Sequence, residues 1–391
     1  MTDLLFLAHR VPYPPNRGDK IRSFHALRYL AARARVHLIA FADDPDDYEP
    51  HPKLRALTAS CTVIPRRKGR ARATLEALAS GRSASLTAFD DPAMHAAVAA
   101  APVCDGIYCF SGQMAQYLPR GARTIMDFVD VDSAKFAQLA DTAALPLRPL
   151  YRREAELLGR FEREVASCVD ASLFVTEAEA ALFRQGGGAG RIVPVENGID
   201  ARHFDPDAAF ERVDEPGHLI VFTGQMDYQP NIDAVAWFAD AVLPALRLQH
   251  PQARFAIVGR QPALAVQALA KLPGVIVTGA VPDVRGWLAA ASVCVAPLRL
   301  ARGIQNKVLE AMAMARPVVA SPSAAEGIDY RGTIAVADTA EQWIERVGAA
   351  LNGAGQGADA RAQVIARYDW DARLQPLDAL MGLSPVERKA A

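Results

Sequence analysis

Short runs of β-branched and aliphatic residues alternate with helix-length segments along nearly the whole chain. DLLFLA (Asp3 to Ala8), VHLIAF (Val36 to Phe41), CTVIP (Cys61 to Pro65), GIYCF (Gly106 to Phe110), RTIMDF (Arg123 to Phe128) and ASLFV (Ala171 to Val175) read as buried strands. Continuous apolar strands separated by helices predict a parallel sheet covered on both faces. The cycle restarts with HLIVFTG (His218 to Gly224), RFAIVG (Arg254 to Gly259), GVIVTG (Gly274 to Gly279), SVCVAP (Ser292 to Pro297) and RPVVAS (Arg316 to Ser321), which predicts a second sheet. The turn-rich, charged stretch between them is the expected linker. The expected organisation is therefore an α/β chain with one doubly wound domain over residues 1–196, a linker over 197–217 and a second domain over 218–367. A helix and tail over 368–391 would be free to pack back across the cleft expected between the carboxyl ends of the two sheets.

The chain has 391 residues, enough for two substantial cores. With 43 Lys and Arg against 44 Asp and Glu, its net charge of −1 disfavours a general nucleic-acid coat. No stretch reaches the roughly 18 apolar residues needed to span a bilayer, and Asp3 sits where an export signal would carry basic residues. Five scattered cysteines without CxxC spacing suit a reducing compartment, so the expected location is the cytoplasm. No Gly-Lys dipeptide, HExxH or GxSxG is present, and no GxGxxG follows the first strand, which sets aside P-loop ATPases, common zinc proteases, serine hydrolases and ordinary dinucleotide redox enzymes. GGGAG (Gly186 to Gly190) follows a helix and precedes a strand, so it reads as a helix stop rather than a phosphate turn.

The most informative stretch is APLRLARGIQNKVLEAMAMARPVVAS, Ala296 to Ser321. A strand ends at Pro297, a loop carries Arg299 and Arg302, and Gly303 and Ile304 are expected to open a helix holding Lys307 and Glu310. Backbone amides and the helix dipole would favour an anion at Gly303, and the nearby cations would complete a diphosphate clamp. Glu310, one turn beyond Lys307, is placed to accept hydrogen bonds from ribose hydroxyls. The competing reading is a solvated loop followed by a Lys–Glu pair and an apolar packing face.

Here the sequence resembles family 4 glycosyltransferases of the GT-B fold, in which two Rossmann-like domains face each other across a cleft. KVLEAMA followed by RPVVAS is similar to their nucleotide-sugar site, NGID (Asn197 to Asp200) to their linker start, and PYPPNRGDKIRSFHALRYLA to their first glycine loop and helix. FTGQMDYQPNIDAVAWF and DFVDVDSAKF resemble, more narrowly, sugar transferases associated with exosortase-type exopolysaccharide loci. The resemblance implies a retaining hexosyltransferase that needs no metal or cofactor and uses a UDP- or GDP-linked sugar. By it, Glu310 matches the second glutamate of an E-x7-E signature, and the first falls on Arg302. The loop that commonly supplies cations to the diphosphate reads Gly224, Gln225 and no cation, so Arg299, Arg302 and Lys307 are expected to replace that charge. Gly259, Arg260 and Val281 fall in loops resembling those that hold the base, and Gly18 in the loop near donor phosphates and acceptor.

Arg302 and Lys307 are the candidate groups for stabilising the leaving diphosphate, and Asp127 and Asp130 for orienting or deprotonating an acceptor hydroxyl. Asp130-Val131-Asp132 spells a DxD, open to metal binding or to helix capping by Asp132. Residues 65–82 carry six basic side chains and one acid, Glu76, which suits either a solvated loop or peripheral contact with an anionic membrane. The expected partners are a nucleotide-sugar donor and a glycan or lipid-linked acceptor, as part of cell-surface polysaccharide synthesis. The missing first glutamate and loop cations keep open a noncatalytic nucleotide-sugar scaffold or sensor and, as a third reading, a sugar-nucleotide epimerase.

Overall fold

The computed structural model describes residues 2–15, 17–119, 121–300 and 304–384. The chain forms two compact units, one comprising 1–197 with 373–391 and the other 198–372.

In the first unit seven strands, β1 (Asp3–Ala8), β2 (Arg35–Ala42), β3 (Ser60–Pro65), β4 (Gly106–Phe110), β5 (Arg123–Val129), β6 (Ala171–Phe174) and β7 (Ile192–Pro194), form a sheet of order β3-β2-β1-β4-β5-β6-β7. Every pairing is parallel. The order reverses between β1 and β4, where a crevice opens at the carboxyl ends of the strands in folds of this kind. Phe6 and Tyr108 stack at 5.0 Å on these two strands, and both are fully buried.

The second unit has a parallel sheet of β8 (His218–Thr223), β9 (Ala253–Val258), β10 (Val275–Gly279), β11 (Val293–Ala296), β12 (Val318–Ala320) and β13 (Ala335–Val336), in the order β10-β9-β8-β11-β12-β13. Its reversal lies between β8 and β11. Phe238 packs on Phe255 at 4.7 Å and edge-on to Trp343 at 5.9 Å, filling one side of this sheet.

Differences from the sequence reading have local causes. β7 and β13 are edge strands of three and two residues, too short to give a periodic signal. The C-terminal segment is two short helices, Trp370–Arg373 and Pro376–Met381, because Pro376 lacks the amide that would continue the first. The second of these is held on the first unit: Tyr29 donates to Asp378 Oδ1 at 2.8 Å, and Arg33 pairs with the same oxygen at 2.7 Å.

The glycine of NGID has a packing reason. Ile199 and Asp369 form a parallel bridge, and a Cβ on Gly198 would lie 2.7 Å from the Trp370 backbone. Among the described residues no helix is long and apolar enough to cross a membrane.

Candidate functional site

In the second unit the chain leaves β8 through Gly224, whose amide donates to Val258 O at 3.0 Å. The Gln225 carbonyl accepts from Asn231 Nδ2 at 2.8 Å, and Asn231 Oδ1 accepts from Lys307 Nζ at 2.6 Å. The Lys307 ammonium also lies 4.1 Å from the centroid of the buried Phe222 ring. A Cβ on Gly224 would meet Asn231 Nδ2 at 2.8 Å and Lys307 Nζ at 3.2 Å. The arrangement thus brings a cation to bare backbone at a strand end.

Lys307 and Glu310 belong to the helix Asn306–Ala313, whose Val308, Leu309, Ala311, Met312 and Ala313 are buried. Both charged side chains are carried by that packing into a mostly buried position. Burial raises the Glu310 carboxyl to about 7 despite the opposing charge of Lys307. The Lys307 ammonium is lowered by burial to about 8, with Glu310 opposing the shift. Among the described residues no donor satisfies the Glu310 carboxylate, so its acceptor capacity is available to a ligand.

Of the other expected donor-site residues, Gly259 packs directly on Gly224, and Arg260 donates to Gln225 Oε1 at 3.2 Å. Arg260 therefore brings a guanidinium to the loop whose own sequence has none. Arg299 is exposed, its guanidinium 5.5 Å from the Trp237 ring, while Ile304 and Val281 pack half-buried against the core. The expected helix start at Gly303 is corrected to Asn306, because Gln305 keeps extended backbone angles as the N-cap. Arg302 and Gly303 themselves lie outside the described residues. Asn231 is a site residue that sequence reasoning missed; its one signal is a polar side chain at the start of the apolar helix Gln229–Trp237.

The first unit has a pocket of about 300 Å³ at the carboxyl ends of β1, β4 and β5, the reversal point of its sheet. His9 stacks on Phe110 at 5.6 Å, and its Nε2 is 3.3 Å from Asp19. Burial pushes the Asp19 carboxyl up, but hydrogen bonds from His9 and Arg10 outweigh it and hold the group below the usual carboxylate range. Ser111 and Val129, which line the pocket, adopt left-handed backbone angles with φ of 78° and 71°. For a β-branched residue this is a strained conformation, of a kind that concentrates at ligand sites. Gly18 opens the helix Gly18–Ala31, and a Cβ there would meet nothing within 4 Å.

Two carboxylate expectations change. Asp127 does not reach the pocket: β5 runs on to Val129, so Asp127 lies inside the sheet, fully buried, and accepts from Arg22 Nε at 2.9 Å and from the Tyr108 hydroxyl. Asp132 is the first helical residue rather than the cap, and it accepts from Gln113 at 3.0 Å. Asp130 does line the pocket, but Lys135 Nζ sits 2.7 Å from it and 3.2 Å from Asp132. The DxD carboxylates thus hold an ammonium, and among the described residues no group of three or more His, Cys, Asp or Glu is placed to bind a metal.

Much of the basic segment is also paired. Arg66 bonds Asp43, Lys68 and Arg72 both bond Glu76, and Arg82 bonds Asp90.

Comparison with known proteins enlarges this picture. Residues 217–352 match the family model described as glycosyl transferases group 1. No curated protein sequence matches the chain. Solved structures match nearly its whole length. Sucrose-phosphate synthase from Thermosynechococcus elongatus is 18% identical with a TM-score of 0.59, covering 97% of this chain and 98% of that one. HepE of Anabaena, solved with UDP-glucose, is 15% identical with a TM-score of 0.55, covering 98% and 100%. WaaG, a glycosyltransferase involved in lipopolysaccharide biosynthesis, is 17% identical with a TM-score of 0.58, covering 97% and 100%. The two parallel Rossmann-like sheets are those of the GT-B fold.

Proposed function

We propose that this glycosyltransferase, whose residues 217–352 form its group 1 transferase domain, moves a hexose with retention of configuration from a nucleoside-diphosphate sugar to a glycan or lipid-linked acceptor. The observation that carries the reading is the pairing, one turn apart on one helix, of Lys307 beside the bare Gly224 turn and the Glu310 carboxylate, which has no donor among the described residues. As the sugar leaves, charge develops on the diphosphate, and a preorganised ammonium in a water-poor site stabilises it. Lys307 serves that role with Arg299, Arg302 and the amides near Gly303, while Glu310 accepts the ribose hydroxyls. Gln225, Arg260, Gly259 and Val281 then line the base and phosphate side. The UDP-glucose complex of the similarly folded HepE favours a UDP-linked donor. Exopolysaccharide or other cell-surface polysaccharide synthesis as the setting is supported by the FTGQMDYQPN and DFVDVDSAKF motifs and by the role of WaaG.

Calorimetric titration with UDP and GDP, with and without EDTA, tests the donor site. Glu310→Ala should weaken binding roughly tenfold to a hundredfold, as expected for the loss of hydrogen bonds to a charged group worth about 1.5–3 kcal/mol. Unchanged affinity would remove Glu310 from the site. Wild-type affinity should peak between pH 7 and 8: below about 7 Glu310 protonates and loses acceptor capacity, and above about 8 Lys307 loses its charge. In Glu310→Ala the acid limb should move down to the ionisation of the nucleotide's own terminal phosphate, with a second pKa of about 6.

A lipid-linked acceptor would put the chain at the cytoplasmic membrane face, with residues 65–82 as its contact. Arg67 is exposed, and on the helix Arg70–Ser80 the side chains of Leu75 and Leu78 are 69% and 51% exposed. Co-sedimentation with vesicles containing anionic phosphatidylglycerol should drop several-fold for Leu75→Ser with Leu78→Ser, the leucines supplying apolar burial and Arg67 the charge attraction. Retention equal to wild type would detach this segment from the membrane.

A further inference from the structure

Lys20 and Arg22 are buried, and each is neutralised by a carboxylate: Lys20 pairs with Asp47 at 2.7 Å and Arg22 with Asp127 at 2.9 Å. Lys307 is held differently. Its Nζ donates to Asn231 Oδ1 at 2.6 Å and lies 4.1 Å from the Phe222 ring centroid, and among the described residues no carboxylate pairs with it. The charged groups around it are Glu310, one turn further along its own helix, which favours the ammonium without an ion pair, and Arg260, whose guanidinium bonds the Gln225 side chain. Asn231 is 6% exposed, and the other end of its amide donates to the Gln225 carbonyl at 2.8 Å. A carbonyl on one side and an ammonium on the other fix which way that amide faces. An amide joins the two and adds no charge, whereas an aspartate would oppose the carbonyl and cancel the ammonium, and a leucine would bond neither.

We infer that Asn231 is a positioning residue of the donor site: it fixes the Lys307 ammonium at the Gly224 turn through a neutral bond, so that the charge of the ammonium is left for the diphosphate. The inference rests on the donor reading proposed above and adds the residue through which Lys307 is placed. An ammonium has three donors and Asn231 takes one, so both charge and donors remain for phosphate oxygens. Local structure builds the placement. Pro230 lies in the first turn of the helix Gln229–Trp237, the Asn231 backbone amide donates to Tyr228 O at 2.9 Å, and burial of Ala234 and Val235 seats the helix with the Asn231 side chain turned back to the loop that leaves β8.

Asn231→Asp and Asn231→Leu, both close to asparagine in size, provide the test in the full chain, with UDP as the probe. Near neutral pH both should weaken UDP binding on the order of tenfold, the first because a carboxylate beside the ammonium repels phosphate, the second because the ammonium loses its seat. Their pH dependence should separate them. The alkaline limb of UDP affinity, where Lys307 loses its proton, begins at about pH 8 in wild type. It should move up by about 1–3 pH units in Asn231→Asp, since an opposite charge at hydrogen-bond distance favours the ammonium, and down in Asn231→Leu, since a buried ammonium without an acceptor favours the neutral amine. Carbon-13 NMR titration of lysine-labelled protein, with the Lys307 signal assigned by its absence in Lys307→Met, reads the same two shifts without nucleotide, and the melting midpoint of the second unit shows whether each variant is folded. Folded Asn231→Asp with the UDP affinity and alkaline limb of wild type would overturn the inference, as would a Lys307 signal that moves the same way in both variants. Opposite shifts of Lys307 in protein that binds no nucleotide would instead overturn the donor reading and support the hold of Asn231 on the ammonium.

Discussion

Asp127→Ala should cost the first unit about 3–5 kcal/mol, the penalty for leaving a buried charge without its partner. Arg22 is 1% exposed and Asp127 is fully buried, so water cannot replace the lost carboxylate. In the intact pair Asp127 Oδ2 accepts from Arg22 Nε at 2.9 Å and Oδ1 accepts from Arg22 Nη2 at 3.2 Å. Arg22 Nη1 reaches the Val195 carbonyl at 2.8 Å and Asn197 Oδ1 at 3.0 Å, so the same guanidinium ties the first helix to the segment leaving the sheet. The loss should appear as a lower urea midpoint for the first unit, followed through hydrogen exchange of β5 amides, with the second unit's transition unmoved. Asp127→Leu combined with Arg22→Met should recover part of the stability: both charges and their desolvation cost are removed, but the Tyr108 hydroxyl and the Val195 carbonyl lose their buried partners. An Asp127→Ala protein that unfolds like wild type yet fails to transfer sugar would reverse this assignment and return Asp127 to the chemistry.

That residue also shows where the sequence stops being legible. The central strands could be read because each is a continuous apolar run covered on both faces, and the core of each sheet follows from those runs. Asp127 was placed at a strand end because the apolar run breaks there, but pairing of Val129 with Phe174 on β6 continues the strand past it. Its partner Arg22 lies 105 residues away in the middle of a helix, and no local pattern marks an arginine that points into a core. Asn231 escaped for the same reason, meeting Lys307 across 76 residues. The placement of Lys307 and Glu310 one turn apart on one helix could be read because it depends on local spacing, which the sequence carries directly. The Arg260 contact with Gln225 depends on two adjacent loops, so the sequence, which offered Arg299, Arg302 and Lys307 for the missing charge, did not show that Arg260 reaches this loop.

Gly259→Ala should be more damaging still, with a loss above about 4 kcal/mol in the second unit. A Cβ at this position would lie 1.6 Å from the Gly224 carbonyl oxygen and 2.8 Å from its carbon, both backbone atoms that cannot turn aside as a side chain can. The clash falls where three strands end together, since the Gly259 amide donates to Gly279 O at 3.2 Å and Gly224 N to Val258 O at 3.0 Å. Relief therefore means parting β8 from β9 or β9 from β10, and the Gly224 turn moves with either. Gly224→Ala is the informative contrast. Its Cβ meets Asn231 Nδ2 at 2.8 Å and Lys307 Nζ at 3.2 Å, the far ends of flexible side chains, so the fold should hold while the ammonium is displaced. Thermal unfolding should then separate the two: Gly259→Ala loses the second unit's cooperative transition, and Gly224→Ala keeps it within a few degrees but loses UDP affinity by roughly tenfold or more, as for a lost hydrogen bond to a charged group. If Gly259→Ala melts like wild type, the close approach of these two turns is not what shapes the proposed donor site.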